Sequence, residues 1–169
     1  MPPGFRKAYD IALEGNRWPL YVFGDAGRGK SYAAAYVAAV VAARGFAVEF
    51  VNTAAALLCL AKALGSDDGM ASYMGRMVYG STFKRRLLEA GFVVLDDLGT
   101  RSPSDTQYDI LRELIDGRFQ MPTLITSNLK PDEIEKVYDG RIGSRLLGGV
   151  WYEFKGQDRR LDKSVYITD

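Results

Sequence analysis

The chain has 169 residues, 47% hydrophobic and 25% charged, the profile of one folded domain with a proper core. Its 22 basic and 21 acidic residues leave a formal charge of +1, which argues against a basic nucleic-acid coat or an acidic disordered tail. There is no histidine, and Cys59 is the one cysteine. That excludes His-dependent triads, His-ligated zinc, multi-cysteine metal sites and an internal disulfide.

From the amino end, Met-Pro-Pro-Gly-Phe-Arg-Lys lacks the apolar core of a secretory leader. The longest apolar run, Tyr32 to Ala43, is too short for a bilayer span. A soluble, cytoplasmic protein with no membrane partner is expected. Residues 1–18 read as a helical lead-in, with a helix over Phe5–Leu13 ended by Gly15-Asn16. Pro19–Phe23 reads as a buried strand, Ser31–Arg44 as an Ala-rich helix stopped by Gly45, and Phe46–Val51 as a second strand. Asn52-Thr53 caps a helix running to Leu64, with Gly65 at its end. The glycine-broken stretch Ser66–Gly80 has no clear periodicity, and Thr82–Glu89 reads as helix.

Phe92–Leu95 is a third buried strand, expected to adjoin the first. Ser102-Pro103 opens a helix whose apolar positions Tyr108, Leu111, Leu114, Ile115 and Phe119 recur at helical spacing. Thr123–Thr126 is a fourth strand, Pro131-Asp132-Glu133 opens another helix, Val150–Phe154 is a fifth strand, and Ser164–Thr168 is a sixth at an edge. Strands alternating with helices predict an α/β fold: a mostly parallel sheet between two helical layers, with ligands at the carboxyl ends of the strands.

Chemistry enters at Gly24-Asp25-Ala26-Gly27-Arg28-Gly29-Lys30-Ser31. This fits G-x-x-x-x-G-K-[ST] and lies between a strand and a helix, the context the motif requires. Glycines let successive N–H groups turn inward onto phosphate oxygens, and the helix adds the positive end of its dipole. Lys30 is the candidate for the β- and γ-phosphates and Ser31 for Mg²⁺, with Tyr32 next in line as a nucleotide contact. The apolar run Phe92–Leu95 ends in Asp96-Asp97. Asp96 is assigned to the metal and Asp97 to the attacking water; an ordinary acidic turn is the bland alternative. Asn128 either orients that water or merely caps a turn. Arg141 and Arg145 share a face if helical, serving as an arginine finger or as a solvated basic face. Arg159-Arg160 poses the same choice. Lys84-Arg85-Arg86 reads as a solvated helix face, and Trp18, Trp151 and Tyr152 as core or half-buried residues.

In order and rough spacing, GDAGRGKS, FVVLDDLG, PTLITSN, RIGSRL and FKGQDRR resemble the AAA+ ATPases. The double Asp followed by Leu-Gly, the T-S-N and the closing G-x-D-x-R look most like DnaC-type helicase loaders and IstB-type transposition helpers, with DnaA-type initiators as relatives. The resemblance implies a three-layer P-loop NTPase fold with a five-stranded sheet, filling residues 1–169 as one ATPase domain with its core at 19–161 and a strand or tail at 162–169. It implies ATP/ADP and Mg²⁺ as cofactors and slow, assembly-dependent hydrolysis. Asp96 and Asp97 become the Walker B pair, Asn128 the first sensor, Arg145 the finger acting in trans, Arg141 its second candidate and Arg160 the second sensor. Partners implied are a replicative helicase, single-stranded DNA and further copies in a ring or filament. Ser66–Gly80 falls near the extra helical element that such proteins face toward DNA.

Three departures are notable. Loaders usually carry an N-terminal partner-binding segment, where only residues 1–18 precede the first strand. Few residues follow Phe154, so no helical lid is expected. Asp97 is also one methylene shorter than the Glu common in AAA+ proteins, which is expected to slow turnover. Competing expectations are a transposition helper that binds duplex DNA directly, a small phosphotransferase, and a non-hydrolysing nucleotide-gated adaptor.

Overall fold

The computed structural model describes residues 1–99 and 103–155. In chain order the elements are α1 (Pro3–Glu14), β1 (Leu20–Phe23), α2 (Lys30–Ala43), β2 (Val48–Asn52), α3 (Thr53–Leu64), β3 (Met70–Tyr73), β4 (Arg76–Tyr79), α4 (Gly80–Glu89), β5 (Phe92–Leu98), α5 (Asp105–Gly117), β6 (Thr123–Ser127), α6 (Pro131–Val137), α7 (Gly140–Leu147) and β7 (Val150–Glu153). Five strands form one parallel sheet in the order β2-β5-β6-β1-β7.

Strand side chains alternate between faces, so each apolar run feeds two cores at once. On one face Leu20, Val22, Val94 and Leu124 meet α1 and α2. On the other, Tyr21, Phe23, Leu95 and Ile125 pack with residues of α3 and α5. That double burial is why these strands read as continuous apolar runs rather than as alternating ones. Local capping places the helices. Asn52 accepts from the Ala55 N–H at the start of α3, Ser104 and Gln107 form a capping box on α5, and Asp139 accepts from the Ile142 N–H of α7. The start of α5 thus falls at Ser104 rather than at Ser102, which lies outside the described residues. The expected sixth strand at Ser164–Thr168 also lies outside them.

Two expectations are corrected. The third apolar strand, β5, does not adjoin β1, because β6 lies between them and pairs with both. Ser66–Gly80 holds no helix facing outward. Met70–Tyr73 and Arg76–Tyr79 pair antiparallel as a hairpin, turned by Met74 and Gly75 at φ 50° and 80°. Ala71 is buried against α3, whereas Met74 and Met77 are exposed.

At the amino ends of β5 and β6 sits a buried cation. Arg118, 4% exposed, donates from Nε to Thr123 Oγ1 at 3.0 Å and from Nη1 to the carbonyls of Leu87, Leu88 and Ala90 at 3.0–3.1 Å. Its Nη2 donates to the Pro122 carbonyl at 2.8 Å. Leu87 and Leu88 belong to the last turn of α4, where free carbonyls and the helix dipole favour a cation. Burial pushes the Arg118 pKa down to about 10, which leaves it charged at neutral pH. Among the described residues no helix is long and apolar enough to cross a membrane.

Candidate nucleotide site

The carboxyl ends of β1, β6 and β5 lie side by side, leading to the glycine-rich loop, to Asn128 and to the Asp96-Asp97 pair. After β1 the chain turns through Gly24 at φ 137°, where a Cβ would lie 2.4 Å from the Phe154 carbonyl oxygen. Only glycine fits there. The loop closes at Gly29, φ 92°, which starts α2 and offers no side chain to cap its first N–H groups. Those donors are left to an anion, which is how such a loop holds phosphate. Arg28 donates to Asp25 Oδ2 at 2.9 Å across the loop and holds the Asp25 carboxyl below its usual range.

Lys30 is 8% exposed. Its Nζ donates to the carbonyls of Gly24 at 2.6 Å and Asp25 at 2.8 Å, and to Asn128 Oδ1 at 2.8 Å. The ammonium therefore joins the loop after β1 to the residue just past β6. A groove of about 200 Å³ opens beside it, lined by Gly24, Asp25, Arg28, Asn128, Lys130 and Glu153 among others. Ser31 and Tyr32 are exposed on the first turn of α2, Tyr32 to 78%.

The acidic pair sits on a β-bulge. Leu95 is opposite Ile125 and Leu98 is opposite Ser127, so Asp96 and Asp97 together face Thr126. Asp97 takes the left-handed φ of 62°, unusual away from glycine and concentrated at functional sites. Asp96 is held through its carbonyl, which accepts from Thr53 Oγ1 at 2.9 Å. Ser127 Oγ donates to the Leu98 carbonyl at 2.7 Å and accepts from the Leu129 N–H, and Tyr21 Oη donates to the Leu129 carbonyl. These bonds fix the turn that carries Asn128. Among the described residues no cluster of three or more carboxylate or thiol ligands could hold a metal by itself. The loop geometry, the lysine and one hydroxyl plus one carboxylate fit Mg²⁺ carried by a phosphate chain, since Mg²⁺ keeps its waters and takes few protein ligands.

Arg141 and Arg145 are not brought to this site within one chain. They share one face of α7 and both meet Asp116, Arg141 at 2.8 Å and Arg145 at 2.5 Å. The Arg145 guanidinium lies 5.3 Å from the centre of the Phe119 ring and lines a small cavity with Pro19 and Thr123. Those two residues mark the amino ends of β1 and β6, so Arg145 is about one strand length, roughly 16 Å, from the loop after β1. Arg159 and Arg160 lie outside the described residues. Sequence reasoning missed Arg118 and the Thr53 hydroxyl; it singled out the T-S-N run but gave the Thr126 hydroxyl no role.

No protein-family model matches the chain, and no curated protein matches it. Solved structures do. DnaA from Aquifex aeolicus bound to AMPPCP is 18% identical with a TM-score of 0.74, covering 95% of this chain and 50% of that one. The DnaC helicase loader is 19% identical with a TM-score of 0.72, covering 90% of this chain and 88% of that one. DnaI is 22% identical with a TM-score of 0.68, covering 93% and 82%. The chain spans about half the length of the DnaA structures it matches. Strand order, loop and likeness agree: this chain has the AAA+ P-loop fold found in the DnaC helicase loader, DnaI and DnaA.

Proposed function

We propose that the chain is an ATP-binding and ATP-hydrolysing switch of DNA replication, of the helicase-loader kind, working in the cytoplasm as a single ATPase domain over residues 1–169. The observation that carries this reading is the convergence of Lys30, Asn128 and the Asp96-Asp97 bulge at the ends of three adjacent strands. A loader of known structure that this chain covers to 88% supports the finer assignment.

Bound ATP–Mg²⁺ supplies the β–γ anhydride that water opens. The N–H groups from Gly24 to Ser31, with Asp25, Ala26, Gly27, Arg28 and Gly29 contributing backbone, hold the phosphates, and Lys30 trades its carbonyl partners for phosphate oxygen. Ser31 and Asp96 hold the cation. Asp97 takes a proton from water onto its carboxylate, and Asn128 orients that water. Arg145 of a neighbouring copy, with Arg141 as the second candidate, neutralises charge at the γ-phosphate; Arg160 is assigned to the second sensor. A replicative helicase and single-stranded DNA are the proposed partners, the latter seen with a DnaA structure of the same fold.

The test measures phosphate release against protein concentration, alone and with single-stranded DNA, duplex DNA or a replicative helicase. Wild type is expected to show slow release that rises with assembly. Arg145→Ala is expected to bind ATP normally and to lose about 10³-fold or more in rate. Concentration-dependent hydrolysis retained in Arg145→Ala would remove the trans assignment. Stimulation by duplex DNA and not by helicase would favour the transposition-helper reading, and a phosphorylated metabolite in place of free phosphate would make the protein a phosphotransferase.

A further inference from the structure

The hydroxyl of the threonine that opens the T-S-N run touches both acidic residues. Thr126, 1% exposed, sits on β6 opposite the bulge. Its Oγ1 accepts from the Asp97 N–H at 2.9 Å and donates to Asp96 Oδ1 at 2.5 Å. A hydroxyl has one proton, so giving it to Asp96 while receiving the Asp97 N–H fixes the rotor and orders both neighbours. The Asp97 amide needs this acceptor, because its left-handed backbone lies in the irregular part of the ladder. Thr53, 3% exposed, holds the Asp96 carbonyl from the first turn of α3, so the backbone there is already anchored. What Thr126 adds is the direction of one carboxylate and the strained turn that presents the other.

We infer that Thr126 is a positioning residue for the metal and water chemistry of this site. It occupies Oδ1 of Asp96 and so leaves Oδ2 for a cation, and it pins the peptide that carries Asp97. The inference rests on the ATP–Mg²⁺ reading of the site. Partners that orient a metal-holding carboxylate typically change metal affinity by about 10–100-fold when removed. Valine has the shape of threonine without the hydroxyl, whereas serine keeps the hydroxyl and drops the methyl.

The experiment titrates Mg²⁺ into wild type, Thr126→Val, Thr126→Ala and Thr126→Ser with a fluorescent ATP analogue, after a measurement in EDTA. In EDTA the valine variant is expected to bind the analogue within about twofold of wild type, since the phosphate loop is untouched. The Mg²⁺ concentration for half-maximal tightening is expected to rise about tenfold in Thr126→Val and to stay within about threefold in Thr126→Ser. An unchanged Mg²⁺ midpoint in Thr126→Val overturns the inference, as does a serine variant that shifts as far as valine. If both Thr126→Val and Thr126→Ala fail to fold while Thr126→Ser folds, the hydroxyl holds the sheet and not the carboxylates, and the inference is again overturned. Wild type that binds the analogue neither in EDTA nor with Mg²⁺ instead overturns the ATP-site reading itself.

Discussion

Lys30 and Arg118 are both buried cations caught by backbone carbonyls, one at each end of the sheet. Arg118 spreads five hydrogen bonds over a rigid planar fork, and its acceptors come from α4, the α4–β5 link and the start of β6. Lys30 is a point charge on a flexible stem, and its partners include two carbonyls of one loop and Asn128 beside an open groove. The first arrangement closes a seam between elements and offers nothing to exchange. The second keeps a charge in place with neutral oxygens that a phosphate can replace. Similar burial thus serves opposite purposes, and the origin of these acceptors tells them apart.

Substitution at the two positions separates these roles. Arg118→Met is expected to lower stability by about 3–5 kcal/mol in urea unfolding, because five acceptors are left in a dry seam. Arg118→Lys is expected to recover only part of that, since an ammonium has three donors. Lys30→Ala is expected to weaken ATP binding by at least about 100-fold while changing stability by less than about 1 kcal/mol. If Lys30→Ala unfolded as readily as Arg118→Met, the contrast between a sealing and an exchanging cation would collapse.

The smallest effect is in pH. Burial raises the Tyr138 phenol from 10.0 to about 12, and Tyr21 is shifted in the same direction. A raised phenol contributes stability that is complete below pH 10 and is lost as pH climbs toward 12. Arg118, whose pKa is depressed, contributes with the opposite sign over the same range. Tyr138→Phe is therefore expected to flatten the fall in stability between pH 10 and 12, measured by urea midpoints at stepped pH. An unchanged slope would mean that other groups set the alkaline limit.

Much of this molecule was legible from local pattern. The phosphate loop needed only glycines, a lysine and its strand–helix setting, and Asn52 announced α3 as a cap should. The order of the sheet was not legible. Nothing in the run Thr123–Thr126 states that it lies between Leu20–Phe23 and Phe92–Leu98, because that is a matter of crossovers and not of periodicity. The hairpin at Met70–Tyr79 was hidden by its brevity and by a Met-Gly turn, where Asn-Gly or Asp-Gly would have signalled one. Arg118 gave no sign of burial, since three of its acceptors come from Leu87, Leu88 and Ala90, a distant stretch of sequence. The assignment of Arg141 and Arg145 to one face was readable from their spacing, while their common partner Asp116 was not.

The position of β6 has one more consequence. Thr123 at its start is bound by Arg118, and Thr126, three residues on, is bound to Asp96 and Asp97. Because successive side chains alternate, those two threonines look out of opposite faces of the sheet. A slip of one residue would turn both to the wrong side together, breaking the seam below and the acidic bulge above in one event. The strand therefore works as a ruler: its length and phase are checked at both ends, by a cation on one face and by a carboxylate and a backbone N–H on the other.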